Sequence, residues 1–172
     1  MSSPTVPRPW HPPHATAAVA NPIVSAMVGI TPNQERPDFL VRYDIKGEPK
    51  SQETYRPAVT RTGVPFLYDP STGDKNRLRT LIREAMVHDI GFNQSNFPVF
   101  RPIGKECLKI KISIKYYVST SKDVDNMCKF LFDSMQRVMY DNDKSIYKVT
   151  AEKIDVTHGQ GKTVLFLTYC AL

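Results

Sequence analysis

The clearest pattern along the chain is an alternation of apolar and polar side chains over residues 107–118. Because successive side chains of a strand point to opposite faces, this pattern predicts a strand with one buried face and one lysine-bearing face. The lysines either line a solvated sheet face or form a surface that follows phosphates. The apolar side comprises Leu108, Ile110, Ile112, Ile114, Tyr116 and Val118, and the polar side comprises Lys109, Lys111, Ser113 and Lys115.

Two segments show the three-and-four spacing of helices with a buried side. The first is predicted to begin at Asp74, a good N-cap residue, and to end at Gly91. The second covers about 125–139 and is apolar around much of its circumference, which predicts burial in the core or against a partner subunit. The first helix has the stripe Leu78, Leu81, Ile82, Ala85 and Met86, with Lys75, Arg77, Arg79 and Arg83 expected off it.

Three further strands complete the predicted fold. Residues 39–45 form the first, followed by a polar, proline-containing loop. Residues 146–156 and 163–170 form the last two, and the glycine-containing turn at 158–161 predicts that they pair as a hairpin. The segment Val164–Leu167 is apolar on both faces and suits a central strand. The sequence therefore predicts an α+β domain with a mixed sheet and two main helices.

The first 37 residues differ in composition from the rest. They hold eight of the 14 prolines, and their only charged side chains are Arg8, Glu35 and Arg36. Such a segment cannot bury enough apolar surface to order itself, which predicts a flexible arm at 1–37 and a folded domain at 38–172. Prolines interrupt any apolar region that a signal peptide needs, and one early arginine gives little support to an organelle transit peptide.

Composition excludes several classes of protein. The 172 residues, 41% of them hydrophobic, fit one domain with a core. No apolar run approaches the roughly 18 to 20 residues of a membrane span. Three cysteines without close pairing indicate a reducing, intracellular compartment. The net charge of +6 permits a polyanionic partner but does not by itself argue for one.

Five aspartates fall within residues 123–143. Asp123 and Asp125 lie where the lysine-bearing strand passes into the second helix, and a capping role would account for only one of them. Asp141 and Asp143 follow that helix, where the helix dipole disfavours acids. About 15 helical residues, roughly 22 Å, separate the two pairs, so they can meet only if the next strand runs back beside the residues before Asp123. The fifth is Asp133.

If these acids converge, Mg²⁺ or Mn²⁺ is the natural occupant, because hard cations take carboxylate oxygens. A calcium loop of the EF-hand type lacks its glycine, the cysteines and histidines lack zinc-ligand spacing, and Gly161-Lys162-Thr163 precedes a strand where a phosphate loop would precede a helix. Lys129 lies four residues from both Asp125 and Asp133. It could form a helical ion-pair ladder or stabilise a phosphate.

At these residues the chain resembles the RusA-type Holliday-junction resolvases, which are crossover-junction endodeoxyribonucleases. The resemblance covers roughly residues 39–170 and combines several motifs in order. They are the run from Lys122 to Lys129, then Asp133, the run from Tyr140 to Ile146, and Lys153, with weaker likeness at Gly47-Glu48-Pro49 and Tyr68-Asp69-Pro70.

The resemblance implies a Mg²⁺-dependent nuclease in which Asp123, Asp125 and Asp143 hold the metal and Lys129 lies beside the scissile phosphate. It also implies an intertwined homodimer that cuts two symmetry-related strands of a four-way DNA junction. No membrane contact and no cofactor beyond the metal are expected. The family's paired aspartates read Asn142-Asp143 here, which leaves Asp141 as a candidate auxiliary ligand. Asn126 and Asp133 would be structural. The expected DNA contacts are Lys109, Lys111, Lys115, Lys122, Lys153, Arg77, Arg79 and Arg83.

Three alternatives stay open at the level of sequence. The domain could bind DNA without cutting it, or it could be a metal-dependent nuclease with less preference for structure. A nucleotidyltransferase is a weaker third, because the chain lacks the glycine-serine loop that such an enzyme uses. The expected location is wherever DNA is processed, in the cytoplasm or nucleoid, or in an organelle if the arm is a targeting segment.

Overall fold

The computed structural model describes residues 23–30, 39–101 and 109–169. Single-turn 3₁₀ helices lie at Gln94–Asn96 and Asp143–Ser145. None of the helices in these ranges is long and apolar enough to cross a bilayer. The main elements are β1 (Ile23–Ile30), β2 (Phe39–Lys46), β3 (Arg56–Val59), β4 (Pro65–Tyr68), α1 (Thr72–Ile90), β5 (Ile110–Val118), α2 (Val124–Met135), β6 (Ile146–Asp155) and β7 (Lys162–Tyr169).

Five of the strands form one sheet in the order β1-β2-β7-β5-β6. β5 and β6 run parallel, while the other neighbouring pairs are antiparallel. Parallel neighbours need a long crossover, and α2 provides it between β5 and β6. The predicted α+β class, with a mixed sheet and two main helices, is confirmed, and the doubly apolar segment of β7 is the central strand.

The alternation predicted for β5 is confirmed over the described residues 110–118. Its apolar side chains are buried, whereas Lys111, Ser113 and Lys115 are exposed. The buried face of the sheet packs against α2 and the segment after it. The Tyr116 hydroxyl of β5 donates to Cys128 Sγ at 3.7 Å, and the Tyr43 hydroxyl of β2 donates to Met139 Sδ at 3.1 Å. The helices therefore cover one face of the sheet, and the lysines of β5 lie on the other.

The predicted pairing of the last two strands is wrong. β6 and β7 lie on opposite sides of β5, so residues 156–161 cross from one side of that strand to the other. The turn itself is real, with Gly159 at φ 85° and a hydrogen bond from the Gln160 N–H to the Thr157 carbonyl. Turn residues mark where the chain reverses, but they do not select which strand the next one pairs with.

Helix α1 begins at Thr72 with Ser71 as the N-cap residue, three residues before Asp74, the predicted N-cap. Asp74 lies in the first turn, where a carboxylate is still favoured by the helix dipole. The predicted end is confirmed, because Gly91 caps the helix in the left-handed conformation at φ 77°.

Helix α2 is shorter than predicted and ends at Met135. Arg137 adopts φ 66°, a left-handed conformation that a helix cannot continue through, and its N–H donates to the Tyr140 carbonyl at 2.7 Å. Val138 and Met139 are nevertheless buried, because the turn tucks them into the core. The apolar character of these two residues therefore reflects burial in the core and does not show that they belong to the helix.

Part of the segment expected to be an arm belongs to the sheet. β1 pairs with β2 along its whole length, from Ile23 opposite Lys46 to Ile30 opposite Phe39. Residues 23–30 contain no proline and no charged side chain, so the average composition of 1–37 concealed a strand-forming stretch. Residues 23–30 thus belong to the folded domain, although the predicted boundary at 38 placed them in the arm. The remainder of the expected arm lies outside the described residues.

Candidate active site

Asp123 and Asp125 lie where the chain leaves β5 and enters α2. Asp123 is the N-cap residue in an extended conformation, but its side chain makes no capping hydrogen bond, and Asp125 lies in the first turn. Both side chains are exposed, and neither carboxylate forms a hydrogen bond or ion pair with the described part of the chain. Neither carboxylate therefore caps the helix by a hydrogen bond, and both have oxygens free to take a ligand.

The loop after β2 holds the segment between β5 and Asp123 in place. The Glu48 carboxylate accepts hydrogen bonds from the Ser119 N–H at 3.1 Å and from the Ser119 and Thr120 hydroxyls at 3.0 Å. Burial raises the pKa of Glu48, but these bonds and the ammonium of Lys122 at 3.9 Å outweigh it and leave the pKa below its usual value. Glu48 therefore stays ionised at neutral pH.

Gly161 permits this arrangement by letting two backbones approach closely. A Cβ atom at position 161 would lie 2.4 Å from Glu48 Oε2 and 2.7 Å from Glu48 Cα. The Gly47 N–H also donates to the Gly161 carbonyl at 2.9 Å. Only glycine fits here, so the turn before β7 and the loop after β2 form one support beneath the acidic segment.

A cavity of about 350 Å³ opens at the carboxyl ends of the parallel strands β5 and β6. Such ends are a common place for ligands in sheets with parallel strands. Lys153 lines the cavity, and its Nζ donates to the Lys122 carbonyl at 3.4 Å, next to Asp123. The lining residues are Val118, Ser119, Thr120, Ser121, Lys153, Asp155 and Val156.

Asp143 lies at the other end of the sheet. It precedes β6, whose first residue, Ile146, pairs with Ile110 at the start of β5. Lys153, beside the Asp123 segment, is seven residues further along β6, about 23 Å of strand. The strand does lie beside the residues before Asp123, but it runs parallel to them and leaves Asp143 at the far end. Among the described residues, no three acids, histidines or cysteines are close enough to hold a metal.

Asn142 occupies the place where the family pattern has an additional aspartate. Its side-chain oxygen accepts a hydrogen bond from the Lys144 N–H at 2.9 Å and caps the 3₁₀ turn that contains Asp143. An amide oxygen can accept this bond as a carboxylate does, so the departure preserves the local structure. Asp141 and Asp143 are both exposed on either side of it.

Lys129 and Asp133 have different surroundings on α2. Lys129 is exposed and forms no ion pair within the described ranges, so the helical ion-pair ladder is not seen. The Asp133 carboxylate instead accepts a hydrogen bond from Lys75 Nζ at 2.6 Å, and the Asp133 carbonyl accepts one from Arg79 at 2.6 Å. Asp133 thus joins α2 to α1.

Lys75 lies at the centre of a charged cluster that the sequence did not reveal. Its side chain is only 8% exposed, and its Nζ also binds Asp69 at 2.8 Å. Burial raises the pKa of Asp69, but hydrogen bonds from Lys75, Ser71 and Gln52 outweigh it and hold the pKa far below its usual range. Placing Lys75 off the apolar stripe was wrong. Lys75 lies three residues before Leu78, and this spacing could have predicted its burial, because it places Lys75 on the buried side of the helix.

We expect Lys75→Met to lower the free energy of unfolding by about 3 kcal/mol, because two partly buried carboxylates would lose their cation. Denaturant titration at neutral pH measures the change. Lys129→Met is the matched control, since it removes an exposed lysine without an ion pair and should change stability by less than about 0.5 kcal/mol. Similar effects of the two substitutions would contradict a structural role for the Lys75 cluster.

The bases expected to contact DNA occupy different parts of the domain. On β5, Lys111 and Lys115 are exposed on the open sheet face, with Lys115 3.5 Å from Glu152. Lys109 packs over the Tyr147 ring at 4.9 Å. Lys153 lies beside the Asp123 segment. These four residues therefore span both the open face and the acidic end of the sheet.

The arginines of α1 lie in the helix layer, away from the lysines of β5. Arg77 is exposed. Arg79 binds the main chain of α2, and Arg83 packs over the Phe97 ring at 4.8 Å. Lys122 is partly buried and donates to the Pro49 carbonyl at 2.5 Å. The structure thus does not gather the eight bases into one surface, and several have structural partners.

These features define an α+β domain in which an acidic segment opens the helix that crosses between two parallel strands. The family model described as Endodeoxyribonuclease RusA matches residues 46–165, and the chain belongs to this family. No curated protein matches the chain. The family resemblance noted in the sequence is confirmed, and with it membership of a family of endodeoxyribonucleases that act on branched DNA junctions.

Proposed function

We propose that this protein is a Mg²⁺-dependent endonuclease that resolves four-way DNA junctions during recombination and repair inside the cell. The observation that carries the proposal is the pair Asp123 and Asp125. These are two exposed carboxylates without a protein partner among the described residues, in a chain of an endodeoxyribonuclease family. Carboxylates placed in this way suit a bound cation better than they suit helix capping.

The donor set fits Mg²⁺, with Mn²⁺ as a substitute. Both ions prefer carboxylate oxygens, and an exposed position leaves room for the waters that Mg²⁺ retains. Asp123 and Asp125 would hold the ion from one subunit. When bound, the ion supplies an activated water nucleophile and positive charge that offsets the charge of the phosphate.

A homodimer accounts for the position of Asp143. Within one chain this residue is a sheet length away from Asp125, so it cannot complete that site. A two-fold axis that brings Asp143 of one subunit to Asp125 of the other brings the reverse pair together as well. The result is two equivalent sites, which matches the two symmetry-related strands of a four-way junction.

The neighbouring lysines have separate roles in this proposal. Lys129 lies one turn along α2 from Asp125, exposed and without an ion pair in the described ranges, and would bind the scissile phosphate. Lys153 would contact the backbone next to it. Burial lowers the pKa of Lys122, although Glu48 opposes this, and its bond to Pro49 makes it a residue that positions the acidic segment.

The test is cleavage of a synthetic four-way junction and of a linear duplex with the same sequence. We expect paired, symmetric cuts in the junction with Mg²⁺ or Mn²⁺, little cutting of the duplex, and none of either in EDTA. Junction binding without cutting in any divalent ion would instead identify a non-catalytic DNA-binding domain. Equal cutting of both substrates would identify a less structure-selective nuclease.

A further inference from the structure

The hairpin formed by β3 and β4 is the most apolar exposed element of the described chain. The two strands pair with each other in a sheet separate from the main one. Leu67 is 68% exposed, Val59 66% and Phe66 45%, and every residue from 59 to 68 is exposed. Exposed apolar side chains concentrated in this way indicate a binding surface.

The base of the hairpin is attached beside the acidic segment. Before β3, the Gln52 N–H donates to the Asn126 carbonyl at 2.9 Å, in the first turn of α2. The Gln52 side chain also donates to Asp69 Oδ1 at 2.9 Å, just after β4. Both ends of the hairpin are therefore tied together next to Asp125, and whatever the hairpin touches must lie near the substrate of that site.

The two faces of the hairpin differ in chemistry. Residues directly opposite each other in an antiparallel pair share a face, which places Phe66 opposite Ala58 and Tyr68 opposite Arg56. The Phe66 and Tyr68 rings lie side by side on that face, with centroids 6.4 Å apart. The opposite face is aliphatic and is formed by Pro57, Val59, Pro65 and Leu67.

The charge of the hairpin complements a polyanion. Residues 54–68 contain two arginines and no acid. Arg56 is paired with Glu53 at 2.9 Å, whereas Arg61, at the tip, forms no ion pair in the described ranges. The tip is also held in shape, because the Thr60 hydroxyl accepts the Val64 N–H at 2.9 Å and the Gly63 N–H donates to the Thr60 carbonyl.

We propose that this hairpin binds the branch point of the DNA, with Phe66 and Tyr68 stacked on the base pair that is left unstacked there and Arg61 on a nearby phosphate. The inference rests on the proposed function, because it takes branched DNA as the substrate. Apolar side chains that insert at base steps and aromatic rings that stack on open bases are established ways of binding distorted DNA. The aromatic rings, the basic tip and the position beside Asp125 together favour DNA over a second copy of this chain.

The test compares Phe66→Ala/Tyr68→Ala with the control Leu67→Ala, which shortens a still more exposed apolar side chain on the other face. Binding to a four-way junction and to a linear duplex is measured in EDTA, so cleavage plays no part. We expect the double substitution to weaken junction binding about fivefold or more, the effect of one lost stack, and duplex binding less than about twofold. The control should stay within about twofold for both DNAs.

A second readout places 2-aminopurine, a fluorescent base, at the branch. Its fluorescence should change on binding the wild-type protein and not on binding the double variant. Equal losses for junction and duplex, or no loss, would overturn the proposal. Dissociation of the double variant into single subunits in sedimentation would also overturn the proposal, because the hairpin would then be a contact between copies of the chain. Junction binding that depends on Phe66 and Tyr68 without any Mg²⁺-dependent cleavage would support this inference and contradict the proposed function.

Discussion

Asp125→Asn is expected to abolish junction cleavage, with a rate loss of more than about 100-fold, while junction affinity is retained. The substitution keeps the size of the side chain and removes the charge that binds the cation. Loss of a residue that merely supports a metal ligand already costs roughly 10- to 100-fold, so loss of a ligand itself should cost more. Affinity should survive, because it comes from basic residues that contact phosphates. Single-turnover cleavage and gel-shift titration measure the two quantities.

Asp74→Asn is the matched control. Asp74 is also an exposed aspartate in the first turn of a helix, but it lies in α1 and its carboxylate pairs with Lys50 at 3.2 Å. Its cleavage rate should be close to that of the wild type. An Asp125→Asn protein that cuts at the wild-type rate would show that the proposed metal site is wrong.

Mixing Asp125→Asn subunits with Asp143→Asn subunits is expected to restore cleavage that neither variant has alone. In a mixed dimer, one site combines both substituted residues and is inactive. The other combines the intact Asp125 of one chain with the intact Asp143 of its partner. This outcome follows from the parallel course of β6, which places the two residues at opposite ends of one chain's sheet.

Random pairing of the two variants also fixes how much cleavage the mixture should recover. Random pairing makes half of the dimers mixed, and one site in each is intact, so the mixture should carry about a quarter of the wild-type number of sites. Each mixed dimer should nick one strand and leave the opposite strand uncut. Co-expression with two different affinity tags isolates the mixed dimer. A purified mixed dimer without activity would place all three aspartates in one subunit and contradict the shared site.

Local patterns predicted the elements of the fold better than they predicted its connections. The alternation in residues 110–118 identified both the strand and its buried face, because burial on one side of a strand acts at every second residue. Nothing in residues 146–156 showed that they pair with that strand in a parallel direction. Pairing depends on contacts far apart in the chain, and the glycine-rich turn at 158–161 favoured the wrong partner.

The same limit applies to the candidate site. The motif selected Asp123, Asp125 and Asp143, yet within one chain Asp143 lies at the far end of the sheet from the other two. The parallel pairing of β5 and β6 that separates them leaves no local trace in the sequence. Lys75 was misplaced for a different reason: a lysine on the buried side of a helix is recognised only when its carboxylate partners are known. Asp69 and Asp133, 64 residues apart, meet at that lysine in the fold.

The position of β7 has a consequence for how the chain folds. The sheet consists of two halves, β1 with β2 and β5 with β6, and β7 is the only described strand that joins them. β7 is also the last of the described strands to be synthesised, and the pairing of Leu40 with Thr168 closes a loop of 128 residues. Such distant contacts slow folding. Until β7 pairs, β2 and β5 each expose an unpaired edge, and such edges make a partly folded chain prone to aggregation.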